Sequence, residues 1–157
     1  MPTVRRKAFA YITHGDRLLM FRQPAAADAG IQVPSGSVQA GERPEDAVMR
    51  EAREETGLAG LALVRPLGEQ QRDMSDVGLD ETHLRSFYHL RCTSEPPATW
   101  RHHERDPSDG SSAPILFEFF SARLPNDVPP LIADHDQQLP RLIESLSGEG
   151  PIGQPGG

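Results

Sequence analysis

Three glutamates, Glu51, Glu54 and Glu55, lie within one short stretch of this chain, and their spacing determines what they can do. On a helix that turns roughly 100° per residue they occupy an arc of about 100°, so their carboxylates project together. Val48, Met49 and Ala52 fall on another face, where they can pack. Carboxylates held this close repel, and each raises the pKa of the others unless a cation neutralises them. Such hard oxygen donors suit Mg²⁺ or Mn²⁺. A run of acids on a helix is more often a solvated face, so the neighbouring residues have to decide between the readings. Arg50 can bridge along the helix to Glu54 at i+4, a contact worth only a few tenths of a kcal/mol at about 0.3–0.5. Gly36 and Gly41 are either ordinary turn glycines or the means of bringing backbone close to a cation held by these acids.

The full pattern favours chemistry. From Gly36 to Leu58 the chain reads GSVQAGERPEDAVMREAREETGL, with Glu42, Arg50, Glu51, Glu54, Glu55 and Gly57 at fixed intervals. This segment resembles the Nudix box: a glycine, five residues, a glutamate, seven residues, then Arg-Glu-aliphatic-any-Glu-Glu-any-Gly-aliphatic. Every spacing is kept. Ala52 stands where a bulkier aliphatic is usual, a difference that touches packing and leaves the acids alone. Ser35 stands where many members carry glycine, beside a backbone carbonyl that often joins the metal shell.

The resemblance implies an α+β Nudix fold, a mixed β-sheet layered between helices as an α/β/α sandwich. It implies a divalent-metal-dependent hydrolase that splits the diphosphate linkage of a nucleoside diphosphate joined to another moiety. Mg²⁺ or Mn²⁺ would be held by Glu51, Glu54 and Glu55 with help from the backbone at Ser35 and Gly36. Arg50 would orient the acids, and Glu51 or Glu54 would take the proton from the attacking water. A non-catalytic Nudix-fold module that senses a nucleotide is the alternative, and loss of box glutamates would mark it. All are present. A Nudix-fold isomerase would need a further nucleophile or acid pair, and Cys92, the only thiol, has no evident acid partner.

The box reads only diphosphate and metal, so the attached groups must be recognised elsewhere. Signatures of members that act on ADP-ribose, diadenosine polyphosphates, coenzyme A or NADH are absent from their usual places. The long segment from Cys92 to Pro114 reads as a specificity loop, since structureless stretches of that length are usually functional or disordered. It carries Trp100, which either stacks on a nucleobase or pins the loop to the core. His102 and His103 read as solvated. Glu104 is the expected additional carboxylate, and Glu118, placed by alternation away from Phe117 and Phe119, is its rival.

Composition sets the boundary conditions. The 157 residues, 36% of them hydrophobic, suffice for one domain with a real core, taken here as residues 1–147 followed by a disordered tail from Gly148. A net charge of −7 and a pI near 5.3 argue against a nucleic acid polymer as partner. Lys7 is the only lysine among sixteen basic residues. A lone cysteine suits a reducing, cytoplasmic setting. No apolar run approaches membrane length, and Ala8 to Ile12 is too short for a secretory core. The partner expected is a small nucleotide-like diphosphate, with a homodimer left open.

The elements that must position these residues can be read in outline. Val4–Thr13 and Arg17–Arg22 suit a hairpin turned by His14-Gly15-Asp16. A mobile loop is expected over Pro24–Gly30, a short strand over Ile31–Pro34, and a glycine-bearing loop over Ser35–Gly41. Pro44–Thr56 should be a helix, opened by proline and closed by Gly57. Leu61–Leu67, His83–Arg91 and Ile115–Leu124 read as strands. A second helix is expected over Asp134–Leu146, regular from near Pro140.

Overall fold

The computed structural model describes residues 2–104 and 114–149. In chain order the elements are β1 (Thr3–His14), β2 (Arg17–Arg22), β3 (Ser35–Ser37), α1 (Pro44–Thr56), β4 (Leu61–Asp73), β5 (Glu81–Cys92), β6 (Trp100–Glu104), β7 (Ile115–Arg123) and α2 (Leu139–Glu149). One mixed sheet runs β4-β5-β1-β2-β7-β6, with β3 paired to β1. Among the described strands only the β1–β5 pairing is parallel.

β1 is buried on both faces from Ala8 to Ile12, which explains its unbroken apolar run. Its even-numbered side chains, Ala8, Ala10 and Ile12, pack with Phe21, Phe117, Phe119 and the α1 residues Ala47, Val48 and Ala52. Its odd-numbered ones, Phe9 and Tyr11, pack with Met20, Phe87 and Leu142 of α2. The two helices thus cover opposite faces of the sheet, the expected α/β/α layering. Gly15 turns the hairpin at φ +61°, a conformation that other residues adopt at a cost.

Several elements differ from the sequence reading. Ile31–Pro34 is not a strand: only Gln32 pairs there, in a single bridge to Phe21. The strand forms one step later, at Ser35-Gly36-Ser37, where tertiary pairing with Phe9, Ala8 and Lys7 overrides a turn-like composition. β4 extends beyond Leu67 to Asp73 because its second half, though polar, keeps its ladder with β5. The segment from Cys92 to Pro114 is not structureless, since Trp100–Glu104 forms β6 against β7. α2 starts at Leu139, preceded by a 3₁₀ turn at Ile132–Asp134, and Gly148 and Glu149 belong to it and not to a tail. The rest of the proposed tail, and residues 105–113 of the segment from Cys92 to Pro114, lie outside the described residues.

Candidate active site

α1 is built as the sequence demands. Pro44 occupies its first turn with Glu45 and Asp46, where acids favour the positive end of the helix dipole. Gly57 closes it in the left-handed conformation at φ 74°, with its N–H on the Arg53 carbonyl. The carboxylates do not form a separate wet face. Glu51 and Glu55 are buried, 6% and 4% exposed, at the edge of the same face that packs Val48 and Ala52.

β3 supplies the opposing wall. A Cβ on Gly36 would overlap the Glu51 carboxyl group, so only glycine lets strand and acid come together. The Ser35 N–H donates to Glu55 Oε1 at 3.1 Å. The third member arrives from β6: Glu104, 4% exposed, places a carboxylate oxygen within 4.8 Å of those of Glu51 and Glu55. Burial pushes the Glu55 carboxyl well above the usual carboxylate range, and the charges of Glu104 and Glu51 push the same way. Burial raises Glu51 as well, opposed by its bond to Arg50.

Arg50 is the organiser beside them. Its guanidinium donates from Nε and Nη2 to the two oxygens of Glu42, both at 3.0 Å, and from Nη2 to the Ser37 carbonyl at 3.0 Å. Nη1 donates to Glu51 Oε1 at 2.8 Å. The i+4 partner Glu54 is 3.6 Å away, its side chain 45% exposed, at the rim of the buried group. The Arg50 bond also holds the Glu42 carboxyl below its ordinary range. Three buried hard-oxygen donors within 4.8 Å of one another could hold a divalent metal ion, and like charges this close are relieved by a cation.

The NUDIX domain model matches residues 3–139, nearly the whole of the described fold. The chain belongs to the Nudix family. Structures with the same Nudix fold include a UDP-X diphosphatase, 13% identical at TM-score 0.65 over 95% of this chain and 66% of that one. A MutT Nudix hydrolase from Burkholderia pseudomallei is 24% identical at TM-score 0.61, over 89% of this chain and 98% of that one. An ADP-ribose pyrophosphatase from Streptococcus suis is 21% identical at TM-score 0.58, over 92% and 93% of the two chains. Among curated proteins none matches. No helix among the described residues is long and apolar enough to cross a membrane.

Around the Nudix box the remaining sequence candidates separate. Trp100 stacks on Phe119, ring centroids 4.9 Å apart, and its Nε1–H donates to the Thr56 carbonyl at 2.9 Å, so it pins β6 to the core. His102 is not a solvated loop residue, because its Nε2 meets the Glu54 carbonyl at 2.9 Å. Glu118 projects from the opposite face of β7 from Phe117 and Phe119 and pairs with Arg101 at 2.9 Å and, at 3.8 Å, with Arg22. Lys7 was not singled out as a site residue by its sequence. Its Nζ donates to Ser37 Oγ at 3.1 Å beside β3, and burial lowers its pKa, with Arg5 adding to the effect. Its one sequence signal is that it is the only lysine in the chain.

Proposed function

We propose that this protein is a divalent-metal-dependent pyrophosphohydrolase that cleaves the diphosphate linkage of a nucleoside diphosphate joined to a second moiety. The observation that supports this most is the buried group of Glu51, Glu55 and Glu104 with its glycine-cleared wall at Gly36. These three carboxylates would hold Mg²⁺ or Mn²⁺, with the backbone at Ser35 and Gly36 at its edge. The cation, when bound, neutralises charge developing on the diphosphate and acidifies water.

The chain's own residues do the rest. Arg50 fixes the Glu51 carboxylate between Glu42 and the β3 backbone, so its orientation is set before substrate arrives. Glu54, the box acid with an exposed side chain, has room for a water and is our preferred base, with Glu51 as the alternative. Lys7 sets a positive charge at the flank of β3, on the approach to the diphosphate.

For the moiety beyond the diphosphate we favour a cleft of about 370 Å³ bordered by Arg6, Lys7, Val38, Pro44, Gln71 and Ser86. It adjoins the box and the start of α1. A cavity of about 420 Å³ at the hairpin end, lined by His14, Arg17, Cys92 and Phe120, has no box residue in its wall except Leu58. Two of the similar folds bear names of enzymes for nucleoside diphosphates linked to another group, which agrees with this substrate class.

The test is product release from nucleoside di- and triphosphates, dinucleotides and nucleotide sugars, with Mg²⁺ and with Mn²⁺. Cleavage of a nucleoside diphosphate-linked compound into a nucleotide and a phosphorylated product is expected. Tight nucleotide binding without turnover across that panel would instead favour a sensor module.

A further inference from the structure

β6 presents three side chains to α1 in strict alternation: Trp100, His102 and Glu104. The first two end on helix carbonyls. Trp100 Nε1 reaches the Thr56 carbonyl and His102 Nε2 the Glu54 carbonyl, each at 2.9 Å. Both carbonyls belong to the last turn of α1, whose final four have no partner within the helix. A carbonyl only accepts, so the imidazole must carry its proton on Nε2.

The His102 ring also fits against Gly57 so closely that a Cβ there would lie 2.8 Å from ring atoms. The glycine that ends the helix therefore also admits the side chain that caps it. The next inward residue on the strand is Glu104, whose carboxylate completes the buried group with Glu51 and Glu55. Strand and helix are thus joined at two polar points immediately before the position where β6 delivers an acid.

We propose that His102, seconded by Trp100, is a positioning residue for the metal site: by capping the last turn of α1 it sets the register at which Glu104 meets Glu55. The proposal rests on the reading of Glu104 as a carboxylate of that site. His102 bonds the Glu54 carbonyl and is not one of the three clustered carboxylates, so it acts through the strand. Without the cap, β6 keeps its ladder to β7 but loses its polar tie to α1, and the Glu104 carboxylate is no longer held against that of Glu55.

The experiment is Mn²⁺ binding to the full chain, followed by the electron paramagnetic resonance signal of free Mn²⁺, for His102→Ala, His102→Gln, Glu104→Gln and the double variant His102→Ala with Glu104→Gln. Loss of an outer-shell partner costs on the order of 10–100-fold in metal affinity, and His102→Ala is expected to weaken Mn²⁺ about 10-fold. Glutamine can place an amide N–H near the Nε2 position, so His102→Gln should restore binding to within about 3-fold of wild type. In the Glu104→Gln background, His102→Ala should cost little more, the mark of two residues acting as one.

Equal losses in both backgrounds would overturn the proposal while leaving Glu104 as a ligand. Undiminished Mn²⁺ binding by Glu104→Gln would remove the reading on which it rests. Should His102→Ala fail to fold, Trp100→Phe keeps the stack on Phe119 and removes only the bond to Thr56. It should weaken Mn²⁺ in the same direction by a smaller factor, and unchanged binding there would count against the proposal.

Discussion

The two faces of the sheet handle buried polarity in opposite ways. On the α1 face, three carboxylates of the same sign converge, and burial with repulsion from its neighbours makes the ionised form of Glu55 costly, as burial does that of Glu51 against the pull of Arg50. On the α2 face, the buried groups around Tyr11 and His135 meet complementary partners. Tyr11 donates its hydroxyl hydrogen to the His135 carbonyl at 2.6 Å and accepts from the Gln138 N–H at 3.0 Å. His135 Nδ1 accepts from the Val33 N–H at 3.1 Å, and Arg85 donates to the Ala133 carbonyl at 2.6 Å. Complementary polarity holds a layer together, whereas matched polarity marks the place where an added cation changes the energy most.

The largest effect that could break this contrast is on turnover. Glu55→Gln is expected to lower the rate by at least ~10²-fold, since a charge that supports the transition state is removed. The same change should raise the melting temperature of the metal-free protein, because a buried carboxyl that is costly to ionise beside like neighbours is gone. A fall in both rate and metal-free stability would show Glu55 to be a structural acid. Glu54→Gln should reduce turnover by ~10²-fold as well, with no gain in stability, because that side chain is exposed at the rim.

On the other face the effects should appear in stability alone. Tyr11→Phe strands a buried carbonyl and a buried N–H, a loss of roughly 1–3 kcal/mol, visible in thermal unfolding with kcat unchanged. His135 sharpens the point through pH. Burial, then the nearby Arg85 and Arg72, pull its pKa from 6.5 down to about 3 in the folded protein. Its folded pKa is below its unfolded one, so protons favour the unfolded chain. The stability it contributes is complete above about pH 6.5 and is lost toward pH 3, by up to roughly 1.4 kcal/mol per pH unit. Denaturant unfolding between pH 6 and 4 should show a shallower slope for His135→Asn, whose side-chain oxygen can still accept from Val33. The smallest effect is expected at Glu118, where substitution by glutamine should change turnover by less than about 2-fold, since its partners are exposed arginines.

What could be read from the sequence follows the same division. Local signals sufficed for α1, because proline, helical period and Gly57 all agree on Pro44–Thr56. They sufficed for the first hairpin, with its apolar runs and glycine turn. They failed at β3, where Ser-Gly-Ser looks like a turn and becomes a strand only because Lys7, Ala8 and Phe9 stand opposite. They failed at β6 for a related reason: its inward residues Trp100, His102 and Glu104 face helix carbonyls and carboxylates, so the strand has no apolar alternation to detect. The acids of the Nudix box were visible as a set, but their burial was not. Periodicity puts Glu51, Glu54 and Glu55 on one arc, and only the approach of Gly36 and Glu104 divides that arc into two buried acids and one exposed acid.

The central claim is that the α1 face works only when a divalent cation offsets its carboxylates. It is tested most directly by following hydrolysis of the best panel substrate while a chelator removes the metal and Mg²⁺ or Mn²⁺ is then restored. Loss of turnover on chelation and full recovery on addition of either suitable ion are expected, with folding retained throughout. Undiminished hydrolysis in excess chelator would contradict it.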